Sequence, residues 1–209
     1  ESSGRYTLSY ARFRHIIERN NADVFTLDDG YSACFEPLCS LAPEQAARVV
    51  IFPVVDKIGA KNDWDSGGEL AGLPLMTWDQ LAELKSRGIR IGSHSATHPD
   101  LRRLRVQELD REIAGSKRRL EGKLGCAVTD FCYPYGLFND TVIRTVKGAG
   151  YKAAFTTCDS VLQGCRNPYR QRRVEIKGTD PAWLVWVKTS GLYDTKTLWE
   201  LPALVLEKF

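Results

Sequence analysis

The feature that most constrains the fold of this chain is a regular alternation of short apolar segments with longer amphipathic ones. The run over 48–55 is rich in β-branched residues, which is typical of a strand covered on both faces. The stretch over 106–124 has the spacing of a long charged helix. Strands separated by helices predict parallel β/α units. We count about six strands, which favours an α/β fold, a distorted (β/α) barrel, over an all-β fold.

The individual elements follow from the same patterns. Predicted strands cover 23–27, 48–55, 90–93, 128–133, 152–157 and 172–176. Predicted helices cover 10–20, 78–87, 106–124, 139–148 and 181–191. Thr77 is expected to cap the helix over 78–87, and Gly88 to end it. A chain of 209 residues has room for about one ordinary domain, so we expect a single domain over 1–209.

Charge and hydropathy exclude two classes of partner. The 29 Lys and Arg against 26 Asp and Glu leave a net charge of only +3, which argues against nucleic acid as the main partner. No apolar run approaches the roughly 18 residues of a membrane-spanning helix, so we expect no membrane span. The first residue is Glu1, which indicates a processed or trimmed chain. The compartment stays open between the cytoplasm and the cell envelope, and so does the oligomeric state.

The six cysteines give little direction. None is spaced as C-x-x-C, which argues against a zinc ribbon or a thioredoxin-like site. Most are expected to be reduced or buried thiols, since a chain of this length can form its core without disulfides. If one bridge forms, Cys158–Cys165 is the best candidate.

Polar side chains follow several of the predicted strands where each strand ends. They are Asp28, Asp29, His94, Tyr135, Thr157 and a basic group near Arg173. The carboxyl ends of parallel strands share one face of a barrel, where barrel enzymes build their sites. An open flavodoxin-like sheet would gather the same residues at its carboxyl edge. The pattern therefore predicts a site more strongly than it predicts barrel closure.

Two of these groups predict a metal centre. Asp28 and Asp29 are adjacent, and neighbouring side chains at a strand end point in opposite directions, so one can ligate a metal while the other faces a reacting water. His94 and His98 are two of only three histidines and lie four residues apart. Two imidazoles and one carboxylate leave a position open for water, as in catalytic zinc sites. Taken singly, the acids could be a solvated turn and the histidines a chance surface pair.

Three motifs resemble those of a known family. Phe25-Thr-Leu-Asp-Asp-Gly30, His94-Ser-Ala-Thr-His-Pro-Asp-Leu101 and Phe131-Cys-Tyr-Pro-Tyr-Gly136 are similar, in order and spacing, to the polysaccharide deacetylases, the NodB homology domain of carbohydrate esterase family four. The last motif resembles a Tyr-Pro-Tyr-Gly subgroup. Similarity runs from about residue 10 to residue 191, and the fold that it implies is again a distorted (β/α) barrel.

The resemblance implies a metal-dependent hydrolase that removes N-acetyl groups from amino sugars of a polysaccharide or glycan intermediate. Asp29, His94 and His98 would be the metal ligands, and Asp28 the general base for attack by a metal-bound water. The metal would be Zn²⁺ first, with Co²⁺, Ni²⁺ or Mn²⁺ as alternatives. The backbone N–H of Tyr135 would contact the oxyanion. Ser95 and Thr97 are expected to cap the turn between the histidines.

The sequence departs from the family pattern at two points. Many members have an arginine just before the Pro-Tyr element, where this chain has Cys132 and Tyr133; Arg173, or Arg172 beside it, could supply the cation. Many also have a late histidine that protonates the leaving amine, but no histidine follows His98. His15 is expected on the surface or in helix packing. Asp28 could then act as base and acid, or a metal-bound water or another side chain could deliver the proton. We expect modest turnover.

A glycan substrate is supported by aromatic residues predicted near the mouth, since sugar rings stack on such side chains. They are Tyr31, Trp64, Tyr133, Tyr135 and Tyr169. Residues 166–173 contain four arginines, which predict either a solvated loop or contact with a phosphate or uronate of the substrate. The alternatives are a sugar deformylase or O-acetyl esterase, a weakened carbohydrate-binding relic, and a structural metal protein.

Overall fold

The strands predicted from the apolar runs are all present in the computed structural model, which describes residues 8–19, 24–157 and 167–189. In chain order the strands are β1 Phe25–Asp29, β2 Val49–Pro53, β3 Arg90–Ile91, β4 Asp130–Cys132, β5 Ala153–Thr156 and β6 Gln171–Arg172. The helices are α1 Tyr10–Arg19, α2 Phe35–Cys39, α3 Pro43–Ala46, α4 Trp78–Ser86, α5 Val106–Asp110, α6 Ser116–Leu124, α7 Asp140–Gly148 and α8 Ala182–Thr189. A π-helical turn, Arg111–Gly115, joins α5 to α6.

The strands form two three-stranded sheets, β1-β2-β3 and β4-β5-β6, in which every pairing is parallel. A parallel bridge between Ser93 and Phe131 links the two sheets. Its hydrogen bonds run from the Ser93 N–H to the Asp130 carbonyl at 3.0 Å and from the Cys132 N–H to the Ser93 carbonyl at 2.8 Å. The six strands therefore lie side by side in sequence order, as expected for successive parallel β/α units.

The interior formed by these strands is apolar. All five residues of β2 are buried, as the β-branched run predicts. The Phe52 ring lies 5.5 Å from the Phe155 ring, so the two sheets meet through side chains as well as through the bridge. Burying one such side chain contributes roughly 1.5–3 kcal/mol.

Helix ends confirm the capping predictions. The Gln80 N–H donates to the Thr77 hydroxyl at 3.2 Å, and the Thr77 N–H donates to the Gln80 side chain at 2.9 Å, which is a capping box. Gly88 follows with φ of 92°, a conformation that glycine adopts without strain. The first turn of α7 is capped in a similar way by the Asn139 side chain.

Contacts divide the chain into two compact units. One unit comprises Glu1–Ala22 and Val174–Phe209, and the other Asp23–Arg173. In the first unit, Arg12 donates to the carbonyls of Gly178 and Asp180, and Lys188 pairs with the Asp180 carboxylate at 2.8 Å. The second unit contains the six strands found among the described residues. A single domain over 1–209 stays a prediction.

Three details differ from the predicted elements or lie beyond the structure. Strand β6 ends at Arg172, earlier than expected, and the predicted helix over 106–124 contains the π-helical turn. Cys158 and Cys165 lie outside the described residues, whereas the four cysteines that are described are free thiols. Among the described helices, none has the length and apolar character needed to cross a membrane.

Candidate metal centre and active site

The two aspartates of β1 occupy its last two positions and diverge. Asp29 has φ of 66° and Gly30 has φ of 82°, so the chain turns sharply as it leaves the strand. A Cβ at position 30 would lie 3.1 Å from the Pro53 Cβ, which explains why glycine is needed there. The turn directs Asp29 towards the histidines, whereas Asp28 faces Arg173.

The loop after β3 carries both histidines, and His94 is held in one tautomer. Its Nδ1 lies 2.8 Å from the Cys132 carbonyl, which can only accept a hydrogen bond. Nδ1 is therefore protonated, and Nε2 keeps its lone pair for a ligand. The Ser95 hydroxyl accepts from the His98 N–H at 3.0 Å and caps the turn as expected.

Three potential ligand atoms converge at this point. Asp29 Oδ1 lies 3.6 Å from Nε2 of His94 and 3.6 Å from Nε2 of His98. The two Nε2 atoms are 3.2 Å apart. Tetrahedral zinc with bonds of about 2.0–2.1 Å places its ligand atoms about 3.3–3.4 Å apart. The separations therefore fit one small cation.

Electrostatics also favour a cation here. Asp29 Oδ1 is buried and accepts no hydrogen bond, which is costly unless a positive charge satisfies it. Burial raises the pKa of Asp29 to about 6 and outweighs the opposing effects of His94 and the Tyr31 hydroxyl. Burial, reinforced by His94, lowers the pKa of His98 to about 3, which keeps its ring neutral. Neutral imidazole is the form that ligates metals.

Asp28 forms a separate pair with Arg173. The guanidinium donates from Nη1 to Oδ1 at 2.6 Å and from Nη2 to Oδ2 at 2.7 Å, a bidentate contact. Burial alone raises the pKa of Asp28, but the charge and hydrogen bonds of Arg173 outweigh it and hold the pKa at about 2. Of the two arginines considered from the sequence, Arg173 is the one that reaches Asp28. Cys132 contacts both partners, with its Sγ 3.5 Å from Asp28 and 3.2 Å from Arg173.

Two aromatic rings lie close to the His98 imidazole. The Trp64 ring lies 5.0 Å from it and the Tyr135 ring 4.6 Å. Tyr135 is 52% exposed, so its ring is accessible beside the candidate metal centre. Thr157 is also nearby, and its hydroxyl donates to the Tyr135 carbonyl at 3.4 Å. The structure thus brings Trp64 and Tyr135 together with the predicted ligands.

Tyr133 and Tyr169 are not placed at the mouth, which corrects the expected ring of aromatics. Tyr133 is fully buried, and its hydroxyl donates to the Tyr169 carbonyl at 3.0 Å. The Tyr169 hydroxyl donates in turn to the Tyr151 carbonyl at 3.1 Å. Neighbouring residues in extended chain face opposite sides, so Cys132 faces Asp28 while Tyr133 packs in the core.

Backbone strain is concentrated at the same place. Among the described residues, the non-glycine residues with positive φ are Asp29, Ser95, His98 and Tyr135, with φ between 57° and 66°. Such conformations are unfavourable for side-chain-bearing residues and cluster at functional sites. All four lie in the candidate site or directly beside a predicted ligand.

Asn62 supports the candidate site, although the sequence analysis did not identify it. It is only 2% exposed and donates to the Tyr31 hydroxyl at 2.7 Å and to the Leu70 carbonyl at 3.2 Å. Its side-chain oxygen accepts from the Asp65 N–H at 3.1 Å, so it holds the loop that carries Trp64. An asparagine in a glycine-rich loop leaves no periodic signal. Glu112, which accepts from the Ala96 and Thr97 N–H groups, is a second such residue.

The arginine-rich segment is partly neutralised by carboxylates. Arg170 pairs with Asp140 at 2.9 Å and lies over the Phe138 ring, whereas Arg173 pairs with Asp28. Arg166 lies outside the described residues. Arg170 and Arg173 are therefore paired with carboxylates of this chain, which argues against their contact with an anionic substrate.

Comparison with known proteins identifies the class. A family model described as polysaccharide deacetylase matches residues 18–154, and the chain belongs to this family. YxkH of Bacillus subtilis (strain 168), a protein named for the same family, is 25% identical over 153 residues, which are 73% of this chain and 50% of YxkH. The chain thus spans about half the length of that relative.

Solved structures of the same class share the fold. The deacetylase PplD of Streptococcus pyogenes, solved in complex with acetate, has a TM-score of 0.65 at 19% identity, over 88% of this chain and 79% of its own. BC0361, a polysaccharide deacetylase from Bacillus cereus, has a TM-score of 0.61 at 24% identity, over 91% of this chain and 57% of its own. The distorted (β/α) barrel expected from the sequence is therefore confirmed.

Proposed function

We propose that this chain is a metal-dependent carbohydrate deacetylase that removes N-acetyl groups from amino sugars of a polysaccharide or glycan intermediate. One observation carries the proposal. The ligand atoms of Asp29, His94 and His98 meet within 3.6 Å of one another. Beside them, a second carboxylate, Asp28, is held ionised by Arg173. A structural metal site would have no use for that second carboxylate.

The donor set fits a divalent cation that accepts nitrogen and oxygen ligands. Asp29, His94 and His98 would hold it, with Zn²⁺ as the first choice and Co²⁺, Ni²⁺ or Mn²⁺ as alternatives. When bound, such a cation acidifies water and polarises an acyl carbonyl.

Asp28 takes the proton of the attacking water as the water oxygen bonds to the acetamide carbon. Each carboxylate oxygen has a second lone pair, so the contact with Arg173 does not prevent this. A pKa of about 2 makes Asp28 a weak base, which supports the expectation of modest turnover. The same low pKa makes protonated Asp28 a good acid. As the C–N bond breaks, it returns the proton to the amine, and acetate leaves.

Tyr135 and Trp64 are assigned to the substrate. The Tyr135 ring lies beside His98 and its backbone is left-handed, and we assign its N–H to the carbonyl oxygen that becomes negative. The rings of Tyr135 and Trp64 beside His98 offer apolar faces to a sugar. Tyr133 is given no direct contact with substrate because it is fully buried.

The proposal is tested by acetate release from N-acetylglucosamine oligomers together with metal analysis. We expect about one zinc per chain and stoichiometric production of acetate and free amine. Removal of the metal with a chelator should abolish release, and added Zn²⁺ should restore it. A chain that binds zinc but releases nothing from any acylated sugar would instead be a binding relic. Release of formate only, or of acetate only from O-acetylated sugars, would correct the substrate.

Replacing Arg173 should weaken catalysis without removing the metal. Arg173→Gln leaves Asp28 without its charge partner, so the carboxylate is no longer held ionised and oriented. We expect acetate release to fall by about 100-fold, the lower end of what a positioned base contributes. Arg173→Lys keeps the charge but not the bidentate contact and should be intermediate. Initial rates at saturating zinc measure the effect.

Arg170→Gln is the matched control for this substitution. Arg170 lies in the same segment but pairs with the exposed Asp140. It should retain nearly full activity, since exposed ion pairs contribute little. Equal rates for the Arg173→Gln and Arg170→Gln variants would contradict the role of Arg173.

A further inference from the structure

The loop between the two histidines is held by a buried carboxylate from the helical segment that follows it. Glu112 is only 7% exposed. Its Oε2 accepts from the N–H groups of Ala96 and Thr97, both at 2.9 Å. Its Oε1 accepts from the Thr97 hydroxyl at 2.8 Å. One side chain therefore binds three donors within the loop that carries His94 and His98.

The opposite side of the same loop is also fixed. The Ser95 carbonyl accepts from the Val55 N–H at 3.1 Å, and the Ala96 carbonyl accepts from the Asp56 N–H at 2.9 Å. The loop backbone is thus held between the segment after β2 on one side and Glu112 on the other. The contacts from the segment after β2 come from main-chain groups, whereas those on the other side come from the Glu112 side chain alone, which can be replaced by mutation.

Hydrogen bonds on both sides of the loop are needed because its backbone is strained. Ser95 and His98 both have φ of 65° although neither is glycine. A strained conformation persists only where the surrounding structure over-determines it. Without Glu112, three donors would lose their acceptor, two of them backbone N–H groups in a buried or half-buried position. The loop could then relax, and the separation of the two imidazoles would change.

Glu112 lies within the π-helical turn. The turn Arg111–Gly115 interrupts the run from α5 to α6, and such turns occur frequently at functional sites. The carbonyl of Ile113 accepts from the Tyr151 hydroxyl at 3.0 Å and the Ser116 hydroxyl at 2.9 Å. The turn is therefore stabilised by its surroundings while Glu112 reaches the loop.

We propose that Glu112 is a positioning residue for the metal centre, which sets the separation of the His94 and His98 imidazoles and thereby the affinity for zinc. The inference rests on the proposed function for the assignment of the ligands. It adds to that function a residue that touches neither metal nor substrate. Partners that orient metal ligands typically contribute about 10–100-fold to metal affinity.

The test compares four versions of the chain: wild type, Glu112→Ala, Glu112→Gln and Glu121→Ala. For each, it measures the zinc affinity and the absorption spectrum of the Co²⁺-loaded protein. Glu112→Ala should bind zinc about 10–100-fold more weakly, with a changed Co²⁺ spectrum. Glu112→Gln should stay close to wild type, because its amide oxygen can accept from both N–H groups and its NH₂ can donate to the Thr97 hydroxyl.

Glu121→Ala controls for a general loss of stability. Glu121 lies on α6, accepts from the Val128 N–H at 3.0 Å and pairs with Lys117 at 3.1 Å, away from the loop. It should lower the melting temperature without changing zinc affinity. If Glu112→Ala does not fold, Glu112→Asp, which is one methylene too short to reach all three donors, takes its place with the same expectation.

The outcomes separate the two proposals. Equal zinc affinity for wild type and a folded Glu112→Ala or Glu112→Asp overturns the role of Glu112 and leaves the proposed function standing. A wild-type chain that binds none of Zn²⁺, Co²⁺, Ni²⁺ and Mn²⁺ contradicts the proposed function, and the inference falls with it. Weak binding in the Glu112→Ala variant, wild-type binding in Glu112→Gln and wild-type binding in Glu121→Ala together support the inference.

Discussion

Asp28→Asn should reduce acetate release by about 10²–10⁴-fold, the range that a positioned general base contributes. The amide has nearly the same shape as the carboxylate, so the pocket keeps its packing. Its oxygen can still accept from Arg173, but the amide has no basic lone pair with which to take a proton from water. Zinc affinity should be retained, since the candidate ligand atoms belong to Asp29, His94 and His98 and not to Asp28. Single-turnover release of acetate, with zinc titrated separately, measures both effects.

Asp63→Asn makes the same change of charge on a nearby loop and serves as the control. Asp63 is exposed and pairs with Lys57, so the variant should behave as wild type. Full activity in Asp28→Asn would refute the assignment of the base. Loss of zinc in that variant would instead place the metal between Asp28, His94 and Cys132, whose potential ligand atoms lie within 4.8 Å of one another.

The candidate ligands could be found from the sequence because they are carried by short local motifs. Asp29 ends one strand, and His94 and His98, four residues apart, follow another. Because parallel strands end at one face of a barrel, this order is enough to predict that the three residues lie close together. Arg173 is harder to assign, since it lies 145 residues from Asp28. The sequence left Arg172 and Arg173 as alternatives. The pairing of Arg172 with Thr156 across β5 and β6 decides which of the two neighbouring side chains faces Asp28.

Tyr133 shows where the sequence interpretation was too coarse. The interpretation put Tyr133 at the mouth with four other aromatic residues, but alternation at the end of β4 turns Cys132 towards Asp28 and Tyr133 into the core. Glu112 was missed for a related reason. Charged residues on an amphipathic helix are normally solvated, and only the position of Glu112 among Leu109, Ile113 and Ser116 indicated that it belongs to the buried face.

Replacing His94 should abolish tight zinc binding while the chain stays folded. His94→Ala removes one of three protein ligands, and we expect zinc affinity to fall by more than about 100-fold, beyond the loss typical of an orienting partner. Acetate release should fall with it. His15→Ala is the matched control, because His15 is the third histidine of the chain and is exposed on α1. That variant should retain both zinc and activity, although it removes the only other imidazole available for proton transfer.

Thermal unfolding with and without zinc then distinguishes a catalytic centre from a structural one. A ligand at 100 times its dissociation constant stabilises the folded state by about 2.7 kcal/mol, so zinc should raise the melting temperature of wild type and of His15→Ala. It should leave that of His94→Ala almost unchanged. The metal-free His94→Ala variant should still unfold cooperatively, because the apolar interior between the strands does not include the metal ligands. Phe52 packs against Phe155 there. Collapse of the fold in His94→Ala would show that the metal is structural. Loss of activity in His15→Ala with zinc retained would identify His15 as the missing acid and remove that role from Asp28.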